Sequence, residues 1–191
     1  MRLTTKDLIE VSIFTALMAI GAYINIGFPT IPFTMQTLFV LLAGLLLGPV
    51  KGSISMLIYL FIGIIGVPVF ATPPFGGFSY IYNITFGYLI GFIFASYITG
   101  YIANKLKNNN HNNMFIKFIY ACLAGYVVYT LFGVTYAFLI KNLYFNTSMS
   151  ISVLFKLFVL PYIIFDFIKC LGSSYLAFLI IPRLKKALGR S

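Results

Sequence analysis

Apolar stretches of roughly twenty residues recur along the chain, each closed by a short polar or turn-forming segment. A strand-like alternation is absent, which excludes a membrane barrel and predicts helices that cross a bilayer. Six spans follow from the breaks: about Leu8 to Phe28, Ile31 to Leu47, Ile54 to Phe70, Phe86 to Ala103, Phe118 to Ile140 and Pro161 to Ile181. Gly48-Pro49 closes the second, because glycine takes a left-handed cap and proline cannot continue the helix. Residues 151–160 are apolar too and precede Pro161, so they predict a short interfacial or re-entrant piece leading into the last helix. The expected fold is a single all-α transmembrane domain over residues 1–191, a six-helix bundle.

Composition agrees with this pattern. Hydrophobic residues make up 61% and charged residues only 8%, against about a quarter charged in soluble domains. The net charge of +10 is explained by topology. With both termini cytoplasmic, Arg2, Lys6, Lys51, Lys105, Lys107, Lys117, Arg183, Lys185, Lys186 and Arg190 face inward, and only Lys141 and Lys156 face outward. The basic residues are spread over loops that meet anionic lipid, and no nucleic-acid partner is expected. Asp7 and Glu10 interrupt the basic start of the first helix, so a cleaved leader is not expected.

Covalent catalysis finds little support. There are three acids and one histidine, and His111 sits among asparagines in a loop. Neither a His-Glu-x-x-His metal motif nor a Walker-type phosphate loop is present, so no enzyme, metal or cofactor is expected, and energy for transport must come from partners or a gradient. Cys122 and Cys170 fall inside predicted helices and read as packing residues.

The last helix carries the anomaly. Asp166 and Lys169 are the only charges well inside a predicted span, and each costs about 2.5–3.5 kcal/mol there. Three residues apart, they share a helix face. They form either a self-neutralising structural pair or, the reading adopted, a site for a polar ligand: the carboxylate accepts N–H donors and the ammonium meets an anion. Two outer segments are expected to complete a pocket. Gln36 stands at the mouth of the second helix, and the uncharged stretch Ala71 to Asn83, with Gly76, Gly77, Tyr80 and Tyr82, has the make-up of a lid. Gly44-xxx-Gly48 and Gly87-xxx-Gly91 predict close helix contacts. On the first helix Ser12, Thr15, Ala16 and Ala19 form a small-residue face suited to internal packing or to a partner helix.

These segments resemble the BioY family, the biotin-specific substrate-binding subunits of energy-coupling-factor (ECF) transporters. The likeness runs through Ile31-Pro-Phe-Thr-Met-Gln36-Thr, Leu41 to Pro49, Gly63 to Ala71 and Phe86 to Phe92, and is strongest at Asp166-Phe-Ile-Lys169, similar to the family's Asp-Leu-Ile-Lys. It implies a six-helix bundle that binds biotin near the outer face of a bacterial plasma membrane. Asp166, Lys169, Gln36, Gly76, Gly77, Tyr82, Asn83 and Tyr88 would be its substrate-binding residues. It further implies a membrane coupling subunit, met through Ser12, Ala16 and Ala19, and two cytoplasmic ATPases. Three departures stand out: Asn83-Ile-Thr-Phe-Gly87-Tyr88 replaces a Gly-Pro-Thr-Gly-Gly-Tyr pattern, Leu89 stands where some members have arginine, and Ile164-Phe165 replaces Pro-Gly. They leave lipoate open as an alternative ligand. A stand-alone carrier and a lipid-modifying membrane enzyme are the readings from other classes.

Overall fold

The computed structural model describes residues 4–27, 31–106, 113–147 and 149–187. Arg2, Phe28, Lys107, His111 with its asparagine neighbours at 108–110 and 112, and Arg190 lie outside the described residues.

The described residues form seven α-helices: α1 (Thr5–Tyr23), α2 (Gln36–Leu47), α3 (Pro49–Ile64), α4 (Phe86–Leu106), α5 (Met114–Leu139), α6 (Ile151–Phe158) and α7 (Ile163–Ala187). Two short strands, β1 (Asn25–Ile26) and β2 (Phe33–Thr34), pair antiparallel between α1 and α2. The first predicted span starts at a capping box, in which Thr4 Oγ1 accepts from the Asp7 N–H and Asp7 accepts from the Thr4 N–H. It ends at Tyr23, short of the expected Phe28, because the chain turns into β1.

Among the described residues, four apolar helical stretches are long enough to cross a membrane: Gln36–Ile64, Phe86–Leu106, Met114–Tyr144 and Ile163–Leu184. The first of these is not one rod. Gly48 adopts φ 80°, ψ 179°, which turns the chain back on itself. Gly52 then lies against Ala43, and the Gln36 side chain reaches Tyr59. Contacts so nearly symmetric about Gly48 define an antiparallel hairpin of α2 and α3. The α1 helix carries Lys6, Asp7 and Glu10 in its first two turns and falls outside the four apolar stretches.

Small residues set the distances between helices. A methyl group on Gly44 would sit 2.6 Å from the Ser96 carbonyl oxygen, and one on Gly100 2.5 Å from the Pro49 nitrogen, so α4 crosses the α2–α3 hairpin at backbone contact. Gly87 meets Phe132 and Tyr136, Gly91 meets Tyr129 and Phe132, and Gly125 meets Thr99, which is the register of an antiparallel α4–α5 pair. Of the two predicted glycine pairs, Gly87 and Gly91 both pack, whereas Gly44 packs and Gly48 turns the chain. Met18, Val40, Leu41, Met56, Ala95, Ala121, Cys122 and Cys170 form the fully buried centre. Large apolar side chains such as Ile13, Phe61, Phe94, Tyr120, Leu131 and Ile168 point outward, the arrangement that lipid favours over water.

The two ends differ. At one end Lys51 bridges α3 to α1, with Nζ 2.9 Å from Asp7 and 2.6 Å from Glu10. At the opposite end Tyr23 hydrogen-bonds to the Pro68 carbonyl, the strand pair folds inward, and the segment between α3 and α4 packs over the bundle. The predicted short piece before the last helix is α6, capped by Ser150 and anchored by Leu154 and Phe158, with Ile151, Val153 and Phe155 exposed.

Candidate ligand-binding site

At the end remote from Lys51 the helices enclose a pocket of about 660 Å³, counting the space at its open mouth. Most of its elements contribute through one helical end. The starts of α2, α4 and α7, the middle of α5, β2 and the end of α6 all line it.

Asp166 and Lys169 form the charged part of the wall, 8% and 5% exposed. Their spacing on α7 brings Lys169 Nζ 2.9 Å from Asp166 Oδ1. The same ammonium donates to Thr37 Oγ1 at 2.7 Å and lies 4.0 Å from the centre of the Phe33 ring. Three elements therefore hold one cation: α7 by charge, α2 by a hydroxyl and β2 by an aromatic face. A desolvated cation–π contact of this kind is worth about 2 kcal/mol, and Phe33 is itself set by Phe165, 5.0 Å away. Ionic and ligand-binding roles are compatible here, since the pair is both neutralised and open to the pocket.

Gln36 lines the pocket, 4% exposed. It does not cap α2, whose N-cap residue is Met35, with no side-chain bond. Its Nε2 donates to Tyr59 Oη at 2.8 Å, and its Oε1 accepts from Thr34 Oγ1 at 3.2 Å. Tyr88 also lines the pocket, donating to the Phe158 carbonyl at 3.3 Å and so joining α4 to the end of α6. Leu89 is a buried part of the same wall.

The remaining expected residues lie outside the lining. Gly76 and Gly77 anchor the loop: a methyl on Gly76 would meet the Val67 carbonyl at 2.4 Å, and the Gly77 N–H donates to the Gly63 carbonyl at 2.7 Å. Tyr82 is 46% exposed and stacks on Tyr144, 4.8 Å between centroids. Asn83 works one layer back, donating to Thr72 Oγ1 and accepting from Thr85 Oγ1, and these two threonines do line the pocket. Tyr80, fully buried and bonded to both, closes the set at 2.7 and 2.9 Å. The stretch expected to form a lid is braced internally and held further by Phe70 between Tyr59 and Tyr80.

Polar and aromatic residues not expected from the sequence also line it, among them Phe33, Thr37, Tyr126, Tyr129, Thr130 and Tyr162. Tyr162 Oη donates to the Ile31 carbonyl at 2.6 Å and accepts from its N–H, tying the start of α7 to the approach of α2. On α1, Ser12 and Ala16 are exposed, whereas Thr15 is buried and donates to the Val11 and Ser55 carbonyls. Ala19 is half-buried against the core. The small-residue face accordingly splits, with Ser12 and Ala16 outward and Thr15 inward.

Fold and site define a multi-pass helical membrane protein with a neutralised charge pair set in an otherwise uncharged, hydroxyl-rich pocket. The BioY family model matches residues 1–190, and the chain belongs to the BioY family. A probable biotin transporter BioY of Lysinibacillus sphaericus is 37% identical over 91% of this chain and 86% of its own length. A biotin transporter BioY of Thermotoga maritima is 34% identical over 95% of this chain and 96% of its own. The solved S-component for biotin of an ECF-type ABC transporter superposes with a TM-score of 0.73 at 27% identity, covering 97% of this chain and 95% of that one. The chain is a transport protein and not an enzyme.

Proposed function

We propose that the chain is the biotin-binding subunit of an ECF-type transporter, taking vitamin at the outer face of the plasma membrane for uptake driven by partner ATPases. The observation that carries this reading is the Asp166–Lys169 pair, buried yet lining a pocket that opens at one end of the bundle. An exposed ion pair would need no ligand, and a purely structural one would have no reason to border a cavity. The relatives named for biotin supply the substrate class.

Asp166 accepts ligand N–H groups, Lys169 offers a cation, Gln36 and Tyr88 shape the walls, and Gly76, Gly77, Tyr82 and Asn83 act by holding the loop that carries Thr72, Tyr80 and Thr85. The helices α1 to α5 and α7 each cross once, with α2 and α3 as the arms of the hairpin. The α2 helix rises only about 18 Å, so residues 31–35 complete its path inside the protein, where irregular backbone is tolerated. In this reading both termini face the cytoplasm, the orientation that lysine and arginine placement favours, and the cell is bacterial. A membrane coupling subunit docks on the Ser12 and Ala16 side of α1, and two ATPases complete the assembly.

The test is a double-mutant cycle with Asp166→Asn and Lys169→Met. Each single change is expected to cost biotin binding about 2–5 kcal/mol while the protein still folds without vitamin. A double variant that regains stability and binds biotin with native affinity would reduce the pair to a structural ion pair.

A further inference from the structure

The Gln36 carboxamide stands at the pocket end of a hydrogen-bond relay that runs back into the protein. Its Nε2 donates to Tyr59 Oη at 2.8 Å, and Tyr59 Oη donates to the Val69 carbonyl at 2.8 Å. Tyr59 is 2% exposed and lies outside the pocket lining, one layer behind Gln36. The polarity of this relay is forced. A carbonyl only accepts, so the single Tyr59 proton goes to Val69, the phenol oxygen is left to accept, and only the N–H end of the amide can face it. From the other side Thr34 Oγ1 donates to Gln36 Oε1 at 3.2 Å, so both ends of the amide are assigned.

Packing keeps the phenol in place. Phe70 is fully buried and lies edge-on to the Tyr59 ring, 5.7 Å between centroids, with Tyr80 4.3 Å away on its other side. A methyl on Gly63 would run into the Phe70 ring, so the bare glycine admits it. Tyr59 is thus fixed by α3 and by the segment that follows it, whereas Gln36 belongs to α2. A primary amide carries two N–H donors and two lone pairs. With one of each committed to Tyr59 and Thr34, one N–H and one lone pair remain, and the order in which the pocket wall presents them is the one that Tyr59 sets. Without the phenol oxygen the amide is at liberty to turn over, which exchanges donor and acceptor.

We propose that Tyr59 is a positioning residue for the ligand site: by accepting from Gln36 it holds the carboxamide in one of its two orientations and so fixes the donor–acceptor order that the wall offers to a bound vitamin. This rests on the biotin-binding reading and adds to it a residue that acts only through another. The experiment titrates biotin into the full-length chain in lipid nanodiscs as wild type, Tyr59→Phe, Gln36→Met and the double variant, each below its own ligand-free melting temperature. Tyr59→Phe should bind about 3- to 10-fold more weakly. Gln36→Met should also lose affinity, and in that background Tyr59→Phe should cost nothing further, because no amide is left to orient. Should Gln36→Met bind too weakly to titrate, Gln36→Asn, one methylene short of Tyr59, takes its place in the cycle. Native affinity in Tyr59→Phe would overturn the assignment. So would an equal loss with and without Gln36, which would trace the effect to the Val69 carbonyl and the packing around it. A wild-type chain that binds no biotin would refute the biotin reading itself, an outcome distinct from additive losses, which remove the Tyr59 assignment alone.

Discussion

An ammonium inside a membrane helix is tolerated only when its proton donors are used, and Lys169 uses a carboxylate, a hydroxyl and an aromatic face together. Thr37 is the least conspicuous of the three partners. Replacing it with valine keeps the volume but removes the acceptor, so Thr37→Val is expected to cost about 1.5–3 kcal/mol, the range for a hydrogen bond to a charged group. Thermal unfolding in detergent or nanodiscs measures this, and an unchanged melting temperature would show that the ammonium finds another acceptor. The same residues show what a sequence can disclose. Asp166 and Lys169 stand out because charge is costly in an apolar helix, and Gln36 because an amide opens an otherwise largely apolar helix. Hydroxyl and aromatic residues carry no such contrast in a chain with 14 tyrosines and 21 phenylalanines, so Phe33, Thr37 and Tyr129 stayed hidden. A signal did exist: Tyr126, Tyr129, Thr130 and Gly133 fall at spacings of three and four, a continuous face on α5.

At the level of elements, hydrophobic runs located the long helices but not their ends or their folding back. The α2 helix begins at Gln36 and not at Ile31 because residues 33–34 pair with β1, a long-range contact that no local pattern encodes. The Gly48 turn was legible as a stop, and the contacts that flank it make that stop a hairpin. Glycine spacing foretold a close helix contact at Gly87 and Gly91, and the fold makes it the α4–α5 seam, which positions Tyr88 and Tyr129 on adjoining walls. A side chain on Gly91 would meet Tyr129 Cα at 2.9 Å, and overpacking of this kind costs about 1–3 kcal/mol. Gly91→Leu should therefore lower both thermal stability and biotin affinity, whereas Gly172→Ala, whose added methyl meets only Leu38 at 3.7 Å, should leave both near wild type. Equal tolerance of the two changes would contradict the seam's role. On α1 the exposed Ala16 permits a separate expectation: Ala16→Trp should impair ATP-driven accumulation and spare binding, as read by uptake and titration on the same preparation. Parallel loss of both would assign Ala16 to internal packing.

For the whole molecule, the charge distribution and the polarity of the bundle tell one story. The Lys51 bridge to Asp7 and Glu10 lies at one end and the pocket at the other, as a subunit that receives ligand outside and meets cytoplasmic machinery inside would require. The helical membrane character and the charged pair of the last helix were visible in the sequence; the braced loop, the pocket's hydroxyl lining and the inward turn of Thr15 needed the fold, because each arises between segments far apart in the chain. With no phosphate-binding motif of its own, the chain alone in vesicles should bind vitamin without concentrating it, and labelled-biotin accumulation should appear only when the coupling subunit and ATPases are added with ATP. Accumulation by the chain alone would make it a self-contained carrier. The most direct test of the central claim is competition on the purified wild-type chain, with labelled biotin displaced by unlabelled biotin or by lipoate. A pocket that presents Asp166 to ureido N–H groups leaves that carboxylate unmatched by lipoate, and unpaired buried groups discriminate strongly. The account predicts saturable biotin binding that lipoate does not displace at comparable concentration; equal displacement by the two acids, or no saturable biotin binding, would contradict it.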